Sequence, residues 1–240
     1  MTQSISFSPA NAGGVIGALQ QAAQATGVDF SYLLANARAE SGLNPAARAG
    51  TSSATGLFQF TDATWLTMVQ RHGAKHGLGW AADALQSGAS RAVKDTILSL
   101  RHNAEAAARM AGEFTRDNEA RLEGALGRAA GASDLYLAAF FGAGGAIKFL
   151  KSMAAAPGMA AAQLLPAAAA ANRSTFYHGD GSARSLAEVH DLVAGRIHRH
   201  MGGAPAGKTL PPAGRTLPPA DPALAAARAR MAYLVLASMS

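Results

Sequence analysis

The sequence DFSYLLANARAESGLNP, residues 29–45, contains the clearest helical pattern in the chain. Asp29 is suited to cap a helix, and Leu33, Ala37 and Glu40 then recur at spacings of four and three residues, so these three side chains share one helical face. The helix is predicted to end one residue after the glutamate, because the following Gly-Leu-Asn-Pro sequence has the composition of a turn. Glu40 is therefore predicted to point in the same direction as an apolar stripe.

A glutamate in such a place can serve as an acid. The pKa of an exposed glutamate is about 4.3, and raising this pKa to about 6 to 7 requires roughly 3 to 4 kcal/mol of desolvation. A carboxyl group shifted in this way keeps its proton near neutral pH and can donate it. The alternative is an ion pair between Glu40 and a nearby arginine, such as Arg38 or Arg48, that holds the helix end.

Composition narrows the classes of protein. The 240 residues are 49% hydrophobic but only 6% aromatic, and alanine is abundant, which predicts closely packed helices. The absence of cysteine excludes disulfides, thiolate nucleophiles and cysteine zinc sites. The net charge of +6 favours polyanionic partners, but basic and aromatic residues are not interleaved as in nucleic-acid binders. The seven histidines show no ligand spacing, so we predict no metal and no cofactor.

Spacing and capping residues extend the prediction along the chain. Residues 46–60 are predicted to form a loop or a short irregular hairpin, and the low-complexity residues 154–171 are expected to wrap the domain surface. The fold class is therefore all-α, with one small irregular or hairpin element. The other predicted helices begin with residues 12–24 and a helix capped by Thr61, followed by two or three helices within 95–127 that are interrupted at Asn103, Gly112 or Asp117. A further helix is predicted to be capped by Ser133 and to break at 142–145. The last one is predicted to run from a capping box of Ser185 and Glu188 to about Met201.

The character of the sequence changes after this last helix. AGKTLPP at 206–212 is nearly repeated as AGRTLPP at 213–219, so residues 202–222 are predicted to be a Pro-rich linker between a domain at 1–201 and a short helical tail at 223–240. The tail could dock on its own domain or on a protein partner.

Two ordered sequences carry a family resemblance. ESGLNPAAR at 40–48 and SATGLFQF at 53–60 resemble the soluble-type (SLT) lytic transglycosylases, whose domain is similar to goose-type lysozyme. Those enzymes have a Glu-Ser pair that closes a helix, followed by a Gly-Leu-Met-Gln element, in which Phe58 replaces the methionine here. The resemblance implies a lysozyme-like helical domain with Glu40 as its catalytic acid.

The resemblance also implies a set of substrate-binding residues. LAAFFGAGGA at 137–146 looks like the family's Ala-Ala-Tyr-Asn-Ala-Gly stretch, but phenylalanines replace the tyrosine and the asparagine. Asp134 is a candidate second carboxylate, with support of a helix N-terminus as the alternative. Ser41 could instead be a cap, the Gly-to-Gln segment a surface turn, and Tyr177 a packing residue. The predicted substrate-binding residues are Ser41, Gly56, Leu57, Phe58, Gln59, Phe140, Phe141 and Tyr177.

The implied reaction is cleavage of the β-1,4 bond between N-acetylmuramic acid and N-acetylglucosamine in bacterial peptidoglycan. Glu40 protonates the leaving oxygen and then acts as a base, so that a 1,6-anhydro end forms and water is not consumed. Two alternatives stay open. A lysozyme-type hydrolase on the same scaffold would consume water, and a non-catalytic wall-binding or assembly protein would bind peptidoglycan without cutting it.

The sequence gives only indirect indications of where in the cell the protein acts. The first 37 residues contain no Lys or Arg, so the basic region of a secretory signal is missing, and the apolar run at 231–239 is too short to span a membrane. We therefore predict a soluble protein without a transmembrane segment. It is expected to act on glycan strands in the periplasm or cell wall, after export by a flagellar or other secretion apparatus that the tail could bind, or after phage-type release.

Overall fold

The structure is a computed structural model that describes residues 14–50 and 52–202. No strand occurs in these two ranges; isolated bridges join Arg48 to Thr55 and Thr55 to Phe60. The predicted all-α class with a small irregular hairpin is therefore confirmed. The helices are α1 Gly14–Thr26, α2 Phe30–Ser41, α3 Asp62–His72, α4 Gly79–Gln86, α5 Arg91–Ser99, α6 Ala104–Leu126, α7 Ala132–Ala155, α8 Ala161–Leu164, α9 Pro166–Ala171, α10 Arg173–Phe176 and α11 Leu186–Met201, with 3₁₀ turns at Gly73–His76 and Leu100–His102.

The helices fall into two compact units that divide within α6, between Arg116 and Asp117. In the first unit the core is built around Trp65 of α3, which is fully buried. The ring of Phe60 lies edge-on to Trp65 at 5.5 Å and to Phe114 at 6.1 Å, and the indole N–H of Trp65 donates to the carbonyl oxygen of Ile97 at 2.7 Å. The apolar body of the tryptophan is thus buried while its polar nitrogen is satisfied.

Helix α6 is longer than its sequence suggested. The predicted interruption at Gly112 is wrong, because the helix runs through this residue. A Cβ atom at Gly112 would lie 2.5 Å from the hydroxyl oxygen of Thr26, at the end of α1. The glycine is therefore required by close approach of a neighbouring side chain and does not end the helix.

The second unit is organised by α7, which packs along α11. The predicted cap at Ser133 is wrong: Gly131 is the N-cap, and the backbone N–H of Gly131 donates to the carboxylate of Asp134 at 2.9 Å. The predicted break within 142–145 is confined to Gly142, whose φ of 73° and ψ of 158° are not helical. The capping box that starts α11, between Ser185 and Glu188, is confirmed.

The alanine-rich stretch between α7 and α11 is more ordered than its composition predicted. It contains three short helices, α8 to α10, and the side chains of Ala161, Ala168 and Ala169 are buried. Most residues of 154–171 are exposed or half-buried, in keeping with a surface segment, and three small side chains anchor its short helices to the core.

Among the described residues, α7 is long and apolar enough to cross a membrane. Length and composition alone are weak evidence, since the core helix of a soluble protein meets the same criterion, and 44% of the most apolar window of α7 is buried inside the protein. The predicted linker and tail lie outside the described residues, apart from Gly202.

Candidate active site

Helix α2 places Glu40 at its buried end. The carboxylate of Asp29 accepts the backbone N–H of Tyr32 at 2.8 Å and so caps the helix, as the sequence predicted. Gly42 ends it in the left-handed conformation, with φ of 61°. Leu33 and Ala37 are fully buried and Glu40 is only 2% exposed, so the predicted common face is a buried face.

A hydrogen bond from Ser41 helps to join the two sequences of the family resemblance, 40–48 and 53–60, which Ala47 also links to Thr55, Gly56 and Gln59. The hydroxyl of Ser41 lies 2.8 Å from the carbonyl oxygen of Leu57 and 3.1 Å from that of Ala37, so its single proton is shared or directed to the closer oxygen. The same hydroxyl oxygen accepts the backbone N–H of Asn44 at 3.1 Å. The residue after Glu40 therefore joins the end of α2 to the second motif.

The second motif is a tight buried turn. Gly56 has φ of +81°, and a Cβ atom placed on it would lie 2.2 Å from the carbonyl oxygen of Arg101, so this position requires glycine for its conformation and for its surroundings. Leu57 is fully buried and Phe58 is 6% exposed. Contact of these two side chains with a substrate stays a prediction.

The side chain of Gln59 stabilises the turn through internal hydrogen bonds. Its side-chain nitrogen donates to the carbonyl oxygens of Gly56 at 2.8 Å and Ala47 at 3.2 Å, and the residue is 5% exposed. Its φ of 50° is a left-handed value that is uncommon outside glycine. The amide N–H groups are thus used within the protein, and contact of this side chain with an N-acetyl group remains a prediction.

The sequence analysis did not find Arg101 and His102, which hold the same turn. Arg101 Nη1 donates to the carbonyl oxygens of Ser53 at 2.8 Å and Phe60 at 3.0 Å, and it lies 2.7 Å from the carboxylate of Asp62. Burial lowers the pKa of Arg101, while the charge and hydrogen bond of Asp62 oppose that shift. No local pattern marks an arginine that binds carbonyls more than 40 residues away.

A second buried polar cluster was also missed. Glu113 accepts from His76 Nε2 at 2.8 Å, and its other oxygen lies 3.4 Å from His72 Nδ1 and 3.6 Å from Lys75 Nζ. Burial raises the pKa of Glu113, but the hydrogen bond from His76 and the neighbouring charges outweigh it and hold the pKa below its usual range. Within the described residues no group of His, Asp and Glu is arranged to hold a metal ion.

Replacing Glu113 by glutamine should lower the free energy of unfolding by about 1 to 3 kcal/mol at neutral pH, because the hydrogen bond from His76 then meets a neutral amide and no longer a buried charge. The depressed pKa fixes the sign of the pH dependence. The stabilisation is present above the unfolded-state pKa of about 4.3 and is lost as the pH falls through the lower folded-state value. Urea unfolding of wild type and Glu113→Gln from pH 7 to pH 3.5 should show the difference shrinking in acid.

The matched control for that experiment is Asp95→Asn, which removes an exposed carboxylate 4.0 Å from Arg91. Exposed pairs contribute little, so its effect should stay below about 0.5 kcal/mol at every pH. A Glu113→Gln effect as small as this control, or one that grows in acid, would contradict the assignment of Glu113 as a stabilising carboxylate.

Four predicted site residues belong to the second unit. Asp134 accepts from Arg128 at 2.6 Å as well as from the N–H of Gly131. Burial raises the pKa of Asp134, but these hydrogen bonds and the Arg128 charge outweigh it, so the pKa lies below its usual value. The carboxylate therefore caps α7 in this structure, which was the alternative role.

Phe140 and Phe141 lie in an aromatic cluster and are each 1% exposed. The ring of Phe141 is 4.8 Å from Phe140, 5.4 Å from Phe149 and 5.8 Å from Phe176, measured between ring centroids. Such packing explains how a phenylalanine is accommodated where the family has asparagine. Substrate contact by these two residues stays a prediction.

Tyr177 follows α10 and is half-buried. Its ring lies 4.8 Å from the guanidinium carbon of Arg173, a cation–π arrangement. Its backbone bridges to Ala183 across a tight turn. The structure thus groups Glu40, Ser41 and residues 56–59 in the first unit, and Asp134, Phe140, Phe141 and Tyr177 in the second.

These features define a class of protein: an all-α protein with a buried glutamate in the last turn of a helix, where the next residue is hydrogen-bonded to a glycine-containing turn. Residues 17–87 match the family model described as the transglycosylase SLT domain. These residues, which include both Glu40 and the 53–60 turn, are therefore similar to an SLT transglycosylase domain. Helix α5, the 3₁₀ turn at Leu100–His102 and all of the second unit lie beyond the match.

Proposed function

We propose that this protein is a peptidoglycan lytic transglycosylase in which Glu40 is both the acid and the base. The SLT domain supports the family and the glycan substrate. The observation on which the proposal rests is that Glu40 is buried directly beside the Ser41–Leu57 hydrogen bond, where the two motifs of the resemblance meet. An exposed Glu40, far from the second motif, would not have supported it.

In the first step, the proton of Glu40 passes to the glycosidic oxygen between N-acetylmuramic acid and N-acetylglucosamine as the bond to C1 breaks. The transition state has oxocarbenium character, and the N-acetyl group of the muramyl sugar assists by bonding to C1. In the second step, the Glu40 carboxylate takes the proton of the C6 hydroxyl, whose oxygen bonds to C1 and displaces the N-acetyl oxygen. Glu40 is protonated again, and the product is a 1,6-anhydro end.

The environment of Asp134 supports chemistry by a single acid. Ordinary retaining or inverting hydrolysis uses a second carboxylate about 5 to 9.5 Å from the first. Asp134, the other candidate, is held by Arg128 and by the start of α7. Its recruitment to a sugar would break these contacts and leave a buried charge unpaired, which is costly.

The deciding experiment is digestion of purified sacculi, followed by mass spectrometry of the released fragments. A transglycosylase releases anhydro-muropeptides, each lighter by one water than the corresponding product of a lysozyme-type hydrolase. A non-catalytic wall-binding protein sediments with sacculi and releases no soluble fragments. Release of hydrated products alone, or of none, would contradict the proposal.

Peptidoglycan lies outside the cytoplasm, so the proposed place of action is the periplasm or cell wall. We expect the segment after the described domain to contact a secretion or flagellar apparatus, since AGKTLPP and AGRTLPP form a proline-rich repeat at 206–219. Deletion of 203–240 should leave digestion of isolated sacculi within about twofold of wild type and abolish co-purification with that apparatus. Unchanged localisation and complex formation in the deleted protein would remove this role for the tail.

A further inference from the structure

The 3₁₀ turn at Leu100–His102 contacts the 53–60 turn. Arg101 is 8% exposed, and its Nη1 nitrogen meets three acceptors: the carbonyl oxygens of Ser53 and Phe60 and the carboxylate of Asp62. The two carbonyls stand at the two ends of the turn. One guanidinium group therefore fixes the distance between the ends of the second motif.

His102 holds the neighbouring loop. Its Nδ1–H donates to the carbonyl oxygen of Pro45 at 3.0 Å, since a carbonyl can only accept. Its Nε2 lies 3.4 Å from the hydroxyl oxygen of Thr55, which itself donates to the carbonyl oxygen of Ala47 at 2.8 Å. The imidazole of His102 thus contacts both sequences of the resemblance, at Pro45 in 40–48 and at Thr55 in 53–60.

The backbone of the same turn completes the contact. The carbonyl oxygen of Arg101 occupies the space that a side chain at Gly56 would need, only 2.2 Å from an ideal Cβ position. Two side chains and one carbonyl group therefore contact a single turn, and they come from two consecutive residues, Arg101 and His102, beyond the matched SLT segment at 17–87.

From this geometry we propose that Arg101 and His102 are positioning residues of the active site, an inference that rests on the proposed function. They act through the 53–60 turn on Glu40: the turn is bonded to Ser41 at 2.8 Å, so its position fixes the end of α2 that carries the acid. Displacement of a catalytic group by about 1 Å can cost about 100-fold in rate.

The carbonyl contacts, rather than the ion pair, carry this role. Asp62 has a side chain that is 50% exposed, so its pairing with Arg101 is screened by solvent. Nη1 has two protons, and these suffice for the carbonyls of Ser53 and Phe60 in an Asp62→Asn variant. Lysine presents its donors from one rotating point and cannot keep the flat guanidinium geometry that also reaches Leu98 through Nε.

The test compares Arg101→Met, Arg101→Lys and Asp62→Asn with a matched control, Arg91→Met, in which a 97% exposed arginine on α5 is replaced. Turnover and KM are measured on soluble uncrosslinked glycan strands, together with hydrogen exchange of the backbone amides of Gly56 and Gln59. These amides donate to the carbonyls of Ala47 and Gly56 and report the turn itself.

Arg101→Met should lower kcat by about 10- to 100-fold while KM changes less than threefold, and the two amides should exchange at least tenfold faster. Arg101→Lys should fall between this variant and wild type, which also provides a folded variant if the methionine protein does not fold. Asp62→Asn and Arg91→Met should stay within threefold of wild type in every measurement.

Three results would overturn the proposal. The first is unchanged hydrogen exchange of the Gly56 and Gln59 amides in both Arg101 variants. The second is an equal loss of exchange protection throughout the protein. The third is a loss of turnover and of amide protection in Asp62→Asn as large as in Arg101→Met. If wild type releases no anhydro product, the proposed function fails separately, and the exchange data still decide whether Arg101 holds the turn.

Discussion

Glu40→Gln is expected to lower release of anhydro-muropeptides from sacculi by about 10²- to 10⁴-fold, the usual contribution of a positioned acid or base. Glutamine has nearly the same shape, but it has no proton to donate at neutral pH and cannot act as a base in the second step. The fold should persist, because an amide in this 2% exposed position keeps the volume of the side chain. The measurement is mass spectrometry of soluble fragments after digestion, with circular dichroism of both proteins.

The matched control is Glu105→Gln, the same chemical change in the first turn of α6, where the side chain is half-buried. It should retain at least half of the wild-type activity. Binding of Glu40→Gln to sacculi should also be retained, since the substitution removes chemistry and not the surface. Wild-type activity in Glu40→Gln would show that another group supplies the proton.

Gly56→Ala is expected to destabilise the protein by about 2 to 4 kcal/mol. The positive φ costs about 1 kcal/mol for alanine, and relief of a contact of 2.2 Å between the new methyl group and the carbonyl oxygen of Arg101 adds a strain of about 1 to 3 kcal/mol. A backbone atom cannot rotate away as a side chain could, so the turn has to move. Activity should fall with it, because the turn is bonded to the residue after Glu40.

The variant Gly88→Ala separates the cost of the positive φ from the cost of the steric contact. Gly88 also has φ of +81°, but no atom lies within 4 Å of its ideal Cβ position. It should therefore show the conformational cost alone, about 1 kcal/mol, with normal activity. Urea unfolding of both variants measures the difference; equal destabilisation would mean that the contact with Arg101 is unimportant.

The helices were largely predictable because their determinants are local. Asp29, Thr61 and Ser185 each accept a backbone N–H three residues later, and this cap precedes a helix in all three places. The buried face of α2 followed from residue spacing in the same way. Ser133 failed as a cap because Gly131 already began the helix, with the carboxylate of Asp134 folded back onto it.

The support of the candidate site was not predictable, because it depends on contacts between distant parts of the chain. Arg101 binds the carbonyl oxygen of Ser53 across 48 residues, and His76 binds Glu113 across 37. Every residue has a backbone carbonyl group, so the residue types do not indicate which carbonyl oxygen accepts a hydrogen bond. Gln59 was identified from a family resemblance, but its role as an internal brace comes from the left-handed turn, which its residue type does not reveal.

The family resemblance is closer for the candidate site residues of the first unit than for those of the second. It pointed to Glu40 and to 53–60, which the structure joins through Ser41. It was less informative for Phe140 and Phe141, where the family residues are absent and the rings are buried against one another. Apolar residues at such positions follow the needs of core packing.

The conformation of Gly142 bears on where α7 can reside. Its φ of 73° and ψ of 158° belong to a region that only glycine occupies readily, so the helical ladder is interrupted inside the most apolar stretch of the described chain. Amides and carbonyls beside such an interruption lose partners one turn away and need replacements. Lipid hydrocarbon offers none, whereas a protein interior can supply them. The bend thus suits this stretch to the centre of a folded unit better than to the middle of a bilayer.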